Sequence, residues 1–179
     1  LEEEIIKHGL PYRIIGGIKF YERREIKDIL AYLRLSYNPS DTISFKRIYH
    51  IPERGIGKIT FEKIQFNMSG GNSIINAIRK CANNNGFTSK RKFALMELAD
   101  FLEILSQKSK ILPLSELVTW IIKEVDYKSY IDDGTEEGEE RWKNVKEIFT
   151  ATKKYDNVPV PQGLVSFLEE VALIQETDR

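Results

Sequence analysis

The run Arg23-Arg24-Glu25-Ile26-Lys27-Asp28-Ile29-Leu30-Ala31-Tyr32-Leu33-Arg34-Leu35 decides the class of fold. Its large aliphatic residues recur three or four positions apart, at Ile26, Ile29, Leu30 and Leu33. That spacing places them along one side of a helix, so the run predicts an amphipathic helix with a buried apolar stripe. The same spacing recurs in most of the later segments, which favours helices over a sheet.

Later apolar positions extend this pattern to the end of the chain. They predict further helices, among them 58–67, 95–105 and 164–174. The segment Tyr12-Arg13-Ile14-Ile15 is instead short, aromatic and β-branched, and it ends at Gly16-Gly17, which predicts a strand and a turn. We therefore expect an all-α, irregular helical bundle with a short N-terminal strand and turn.

The composition is typical of one packed domain in a reducing compartment. The 179 residues are 41% hydrophobic and 30% charged, and the 27 basic and 27 acidic side chains sum to zero net charge. A single cysteine, Cys81, and two histidines exclude an internal disulfide framework and most zinc sites. No window of about 18 uncharged apolar residues is present, and the acidic start Leu1-Glu2-Glu3-Glu4 is unlike a secretory signal. These features predict a cytoplasmic protein without a membrane segment.

The segment Ile51-Pro52-Glu53-Arg54-Gly55-Ile56-Gly57-Lys58-Ile59-Thr60 carries the strongest functional signal. Gly55-Ile56-Gly57 permits a tight turn between two helices and exposes backbone N–H groups at a helix N-terminus, where phosphate binds without any reading of base sequence. Arg54 and Lys58 would add positive charge, and Thr60 could cap the helix or bond a phosphate oxygen. The turn resembles the hairpin of helix-hairpin-helix DNA-binding elements. The alternative is a tight turn whose glycines serve geometry alone.

Positive charge is concentrated around this turn. Between Arg13 and Lys63 there are eleven Lys or Arg residues against six Asp or Glu, an excess of five in a chain of zero net charge. Arg23, Lys27 and Arg34 fall on one flank of the first helix, about 90° from its apolar stripe. Such a row would follow the backbone of a duplex. The alternative is an ordinary solvated face with ion pairs along the helix.

The remaining candidate residues favour structure over chemistry. The acidic run 132–140 is predicted to be a solvated loop that leads into a helix N-terminus. Trp120 and Trp142 stand at apolar helical positions and are expected in the core. Cys81 is expected to be structural, whereas His50 either touches phosphate or is a partly buried structural residue. No Gly-x-x-x-x-Gly-Lys-Ser/Thr phosphate loop and no nucleophile–base pair is present, so the residues predict no catalytic site.

Several stretches carry a resemblance to a known family. They are Tyr12-Arg13-Ile14-Ile15-Gly16-Gly17, Phe20 to Arg34, Asn38-Pro39-x-Asp41, Arg47-Ile48, Pro52-x-Arg54-Gly55-Ile56-Gly57 and Arg141-x-x-Asn144-Val145-x-Glu147. In order and spacing they resemble domain 2B of the UvrD/PcrA/Rep family of superfamily 1 DNA helicases. The stretch from Leu164 to Ile174 looks like the helix that returns to the motor, whereas residues 68–135 match in helical pattern only.

The resemblance implies an accessory domain of an ATP-dependent 3′-to-5′ DNA helicase that acts in bacterial DNA repair and replication. It implies a lead-in from motor domain 2A over 1–20, a helical domain 2B over 21–176 and a return to 2A over 177–179. The chain begins without methionine in what reads as the end of a helix, and we expect it to be a piece of a longer protein. ATP and Mg²⁺ would bind to the motor domains of the parent chain, so this piece should hold no cofactor and be inactive alone.

In that family domain 2B contacts duplex DNA ahead of the fork, where single and double strands meet. The resemblance places the duplex contacts on Lys27, Arg34, Arg54, Gly55, Ile56, Gly57, Lys58 and Thr60. Two alternatives remain open. The bundle could dock repair proteins or the motor domains of its own chain, which would need an exposed apolar patch away from the turn. It could also be an independent enzyme, which would need a deep pocket lined by titratable groups.

Overall fold

The computed structural model describes residues 18–176, in which ten helices pack together and no strand occurs. The helices are α1 (Ile18–Tyr21), α2 (Arg24–Tyr37), α3 (Thr42–Ile48), α4 (Lys58–Ser69), α5 (Ile74–Ala82), α6 (Ser89–Lys108), α7 (Leu114–Glu124), α8 (Tyr127–Ile131), α9 (Glu136–Lys153) and α10 (Gln162–Glu176). The all-α prediction is confirmed for this part of the chain. None of these ten helices combines the length and the apolar character needed to cross a lipid bilayer.

Two predictions fall at the ends of the chain. The strand expected at Tyr12–Ile15 and the return to the motor over 177–179 lie outside the described residues. The predicted boundary between residues 20 and 21 falls within α1, where Phe20 and Tyr21 are both 3% exposed and pack into the same core. The domain boundaries therefore stay a prediction.

Helix α2 is the centre of the bundle. Its predicted stripe is fully buried, with no exposure at Ile26, Ile29, Leu30 or Leu33. The helix contacts α3, α6, α7, α9 and α10, so it is covered on most sides. Because burying one such side chain stabilises a fold by about 1.5–3 kcal/mol, this stripe is a principal anchor of the core.

Capping residues set the starts of α3 and α9. Helix α3 starts after Asp41, whose Oδ1 accepts the N–H groups of Ile43 and Ser44 at 3.1 and 3.0 Å. The acidic run differs from its prediction, because the loop ends at Thr135 and residues 136–140 already belong to α9. Acidic side chains are favoured in this first turn by the positive end of the helix dipole, so the helix starts earlier than its apolar pattern indicates.

Both tryptophans pack against the core, as predicted, but they lie at its edge, where each is half-buried. Trp120 stacks on Phe101 with ring centroids 5.7 Å apart and planes 6° from parallel. Trp142 lies beneath the ammonium of Lys128, which is 5.6 Å from the ring centroid. Large rings of this kind cover the edge of a core while part of the ring meets solvent.

Cys81 is buried, and burial raises the pKa of its thiol, which disfavours a reactive thiolate.

A buried polar network ties α2 to α3, α8 and α9. Asp28 has no solvent exposure and accepts hydrogen bonds from Arg47 Nε and Tyr127 Oη, both at 2.7 Å. One turn earlier on α2, Glu25 Oε1 accepts the Asn144 amide at 2.6 Å. A buried carboxylate is tolerated only with partners of this kind. The network therefore fixes α3, and with it the connection to α4, against the central helix.

Candidate nucleic-acid interface

The Gly-Ile-Gly turn closes a hairpin between α3 and α4. Residues 49–57 connect the two helices, and the side chains of Ile51 and Ile56 are only 5% and 3% exposed. Gly55 has a φ of +67°, a left-handed conformation that glycine adopts without steric cost. Because Ile56 points inward, the turn presents its glycine backbone to solvent.

Arg54 holds the hairpin together from the inside. Its Nη1 donates to the carbonyl oxygens of Ile48 at 2.8 Å, Ile51 at 2.9 Å and Pro52 at 3.3 Å. Its Nη2 donates to Tyr32 Oη at 2.8 Å, and that hydroxyl donates in turn to the Ile51 carbonyl. The Arg54 guanidinium, which the sequence predicted to contact DNA, therefore bonds to the end of α3 and to the loop that follows it.

Gly57 is a glycine that the fold does not require. Its φ of −87° suits any residue, and no atom lies within 4 Å of the position that an added Cβ would occupy. It is the N-cap of α4 and provides no side-chain acceptor, although Asp, Asn and Ser are the usual choices there. The first N–H groups of α4 are therefore left to an outside acceptor, and the space that a side chain at Gly57 would fill is open.

The next two predicted contacts, Lys58 and Thr60, differ in exposure. Lys58 is exposed as the first residue of α4, beside the helix N-terminus. Thr60 is 1% exposed and follows the start of the helix, so its side chain neither caps α4 nor reaches solvent. Any contribution of Thr60 to an interface comes from its backbone.

The turn forms one wall of an open groove of about 500 Å³. The groove is lined by His50, Glu53, Arg54, Gly55, Ile56, Gly57, Arg91 and Tyr130. Arg91 comes from the first turn of α6 and Tyr130 from α8, and sequence reasoning missed both. The sequence did contain a signal for Arg91, namely the basic triplet Lys90-Arg91-Lys92. Its position at a helix start is unusual because the helix dipole disfavours cations there. Tyr130 gives no such signal, since its position depends on the packing of α8.

The predicted basic row on α2 is absent from the lining of this groove. Lys27 pairs with Glu22, and Arg34 Nη2 donates to Gln175 Oε1 at 3.2 Å. Both basic side chains are half-buried. The Arg34 contact joins α2 to α10, and both contacts use N–H donors that the sequence predicted for DNA. Contact of Lys27 and Arg34 with a duplex stays a prediction.

His50 lies exposed at the rim of the groove. Partial burial lowers the pKa of its imidazole, nearby arginines lower it further, and Asp28 acts in the opposite direction. The ring is therefore mostly neutral at pH 7 and would offer a phosphate a hydrogen bond in place of a charge.

A polar groove of about 320 Å³ is a candidate for an enzyme site, and it is lined by Arg24, Glu25, Asp28, Tyr127, Tyr130, Ile131, Asp133 and Arg141. Its groups already bond to one another, as Tyr127 does to Asp28 and Arg141 Nη2 does to Asp133 Oδ2 at 3.1 Å. Burial and the Asp28 charge raise the pKa of Tyr127 far above its usual value, so no phenolate forms. Within residues 18–176 no cluster of His, Cys, Asp and Glu is placed to hold a metal ion.

Comparison with known proteins gives a match over the full chain. Residues 1–179 match the UvrD-like helicase C-terminal domain. The chain is 38% identical to the ATP-dependent DNA helicase PcrA of Bacillus subtilis, over 100% of this chain and 24% of that protein. It is 32% identical to PcrA of Staphylococcus aureus strain Mu50 and 33% identical to PcrA of Staphylococcus epidermidis, over 99% of this chain and 25% of each relative. The chain thus spans about a quarter of the length of these relatives. With its helical fold, its glycine turn and this match from end to end, the chain belongs to the UvrD-like helicase C-terminal domain family.

Proposed function

We propose that residues 21–176 are accessory domain 2B of an ATP-dependent 3′-to-5′ DNA helicase, with 1–20 and 177–179 leading from and to motor domain 2A. The domain binds duplex DNA through its phosphates, without base specificity, where single and double strands meet. Motor domains of the parent chain supply the ATP and Mg²⁺ sites, and this piece alone hydrolyses no ATP. The parent acts in DNA repair and replication in the bacterial cytoplasm.

The absence of a side chain at Gly57 is the observation that carries this proposal. Gly55 is explained by its positive φ, whereas neither backbone conformation nor steric crowding explains Gly57. The fold would accept other residues at position 57, yet the chain carries glycine there, the residue that lets a ligand approach the backbone most closely. The donors it uncovers are the N–H groups of a helix N-terminus, which suit a phosphate.

Backbone donors of this kind position a duplex and read no bases. The chain has zero net charge, so its long-range attraction to DNA is weak. The exposed cation at the start of α4 is Lys58, while Arg54 is engaged in the hairpin. If about 3–4 phosphates are neutralised, the affinity should fall with salt with a log–log slope of about −3 to −4.

The variant Gly57→Asp is expected to weaken duplex binding by about tenfold or more, because its carboxylate would occupy the helix N-terminus and repel phosphate. Asp is a better N-cap than glycine by a few tenths of a kcal/mol, so the variant should be at least as stable as the wild type. Fluorescence anisotropy with a labelled hairpin duplex at about 20 and 150 mM salt measures the affinity. Thermal unfolding measures the stability.

Thr150→Asp is the matched control for this variant. It adds the same charge at an exposed position of α9 and should leave the affinity within about twofold of the wild type. Unchanged duplex affinity in Gly57→Asp would contradict the proposal. A shift of preference between duplex sequences would contradict the claim that only phosphates are bound.

A second candidate function, docking of another protein surface, is favoured by an apolar groove of about 220 Å³ between α7 and α9. The groove is lined by Thr119, Ile122, Lys123, Trp142, Val145, Lys146 and Phe149, and Phe149 is 38% exposed. If the motor domains of the parent chain cover it, amides of α9 should exchange hydrogen more slowly in the full-length parent than in the isolated chain. Equal exchange rates in the two proteins would exclude this docking.

A further inference from the structure

Arg91 is the exception among the arginines of the described residues. Eight arginines lie within 18–176, and seven of them donate side-chain hydrogen bonds to protein groups. Arg91 is exposed, and its guanidinium carbon lies 5.9 Å from the ring centroid of Phe87. Five N–H donors are therefore left to solvent in a planar fork, a geometry that suits a phosphate.

The position of Arg91 opposes the local electrostatics of its helix. Lys90, Arg91 and Lys92 occupy the first turn of α6, which contains no acidic residue. The helix dipole is positive at this end and disfavours cations, whereas α9 begins with acids in the same place. Locally unfavourable choices of this kind are expected at functional sites.

Phe87 links this basic turn to the helix that follows the glycine turn. Lys63 of α4 lies over the same ring, with its Nζ 4.6 Å from the centroid. Within the part of the chain that the structure describes, neither Lys63 nor Arg91 forms an ion pair with a carboxylate. The Phe87 ring thus holds both cations through cation–π contacts, and the N–H donors of Lys63 and Arg91 stay accessible to solvent.

Arg91 also lines the groove that the glycine turn bounds, so the guanidinium and the backbone N–H groups of the turn border the same space. Glu53 is the one carboxylate among the lining residues. We infer that Arg91, with Lys63 and Lys90 beside it, forms a second phosphate-binding wall of this groove, which contacts the duplex backbone alongside the Gly-Ile-Gly turn. The inference rests on the proposed function, because the ligand is the same DNA.

The test compares two charge reversals at opposite ends of α6. Arg91→Glu should weaken binding of the chain to a labelled hairpin duplex by about tenfold and make the salt slope shallower by about one. Lys110→Glu makes the same charge change just beyond the other end of this 20-residue helix, about 30 Å away. It should change the affinity by less than about twofold.

The design separates binding from folding. A glutamate in the first turn of α6 interacts favourably with the helix dipole, so Arg91→Glu should unfold at the same temperature as the wild type or above it. A weaker complex from an equally stable protein then reports the lost phosphate contact. Equal affinities of Arg91→Glu and Lys110→Glu, with binding still lost in Gly57→Asp, would overturn this inference and leave the proposed function standing. Failure of the wild-type chain to bind the duplex at about 20 mM salt would overturn both.

Discussion

Replacing Arg54 with alanine is expected to lower the free energy of unfolding by about 3 kcal/mol. The change removes four hydrogen bonds, three to carbonyl oxygens and one to Tyr32, and leaves acceptors at the end of α3 without their charged donor. For a chain of this size the melting temperature should fall by about 6–12 °C. Chemical denaturation followed by circular dichroism measures the free energy directly.

Two companion variants sharpen this prediction. Arg54→Lys keeps the charge but lacks the planar fork, so it should recover only a minor part of the lost stability. Lys58→Ala removes an exposed cation four residues further on, and its effect should stay within about 0.5 kcal/mol. A loss below about 1 kcal/mol in Arg54→Ala would show that the inward hydrogen bonds do not hold the hairpin.

The role of Arg54 also changes how DNA-binding experiments should be designed. Because its guanidinium shapes the turn, an Arg54 variant should weaken the proposed duplex binding even if this side chain never meets a phosphate. Gly57→Asp and Arg91→Glu avoid this ambiguity, since both are expected to preserve or raise stability while they weaken binding. Substitutions at Gly57 and Arg91 are therefore more informative about binding than substitutions at Arg54.

Replacing Asp28 with alanine is expected to cost about 3–4 kcal/mol of stability. Asp28 is fully buried, and its loss would remove the acceptor that lies 2.7 Å from both Arg47 Nε and the buried Tyr127 hydroxyl, which would keep only longer bonds to the carbonyl oxygens of Arg24 and Glu25. Since Asp28 joins α2 to α3 and α8, the substitution should also loosen the hairpin that follows α3. Denaturant unfolding gives the loss of stability, and hydrogen exchange of α3 amides reports the loosening.

A surface aspartate supplies the comparison. Asp100 pairs with Arg79, its side chain is 59% exposed, and Asp100→Ala should cost no more than about 0.5 kcal/mol. Asp28→Asn keeps an acceptor for Tyr127 and should cost less than the alanine variant. Similar losses for Asp28→Ala and Asp100→Ala would contradict a structural role for the buried network.

Most of the helices and the position of the glycine turn could be predicted from the sequence because each depends on neighbours along the chain. The stripe from Ile26 to Leu33 follows from a repeat of three and four residues, and the start of α3 follows from the side chain of Asp41. The order and spacing of the motifs from Tyr12 to Gly57 and at Arg141 to Glu147 also indicated the family, which the match over residues 1–179 confirms.

Only the tertiary structure decided how the basic side chains are used. Arg54 looks in the sequence like a residue that faces DNA, yet it bonds to Tyr32, 22 positions away. Tyr127 reaches Asp28 across 99 positions, and no local pattern records such a pairing. Arg91 joins the groove because α6 packs beside the hairpin, although 34 positions separate it from Gly57. Spacing along a helix fixes the direction of a side chain, but the partner it meets depends on how separate helices pack, and that packing is not encoded in any local repeat.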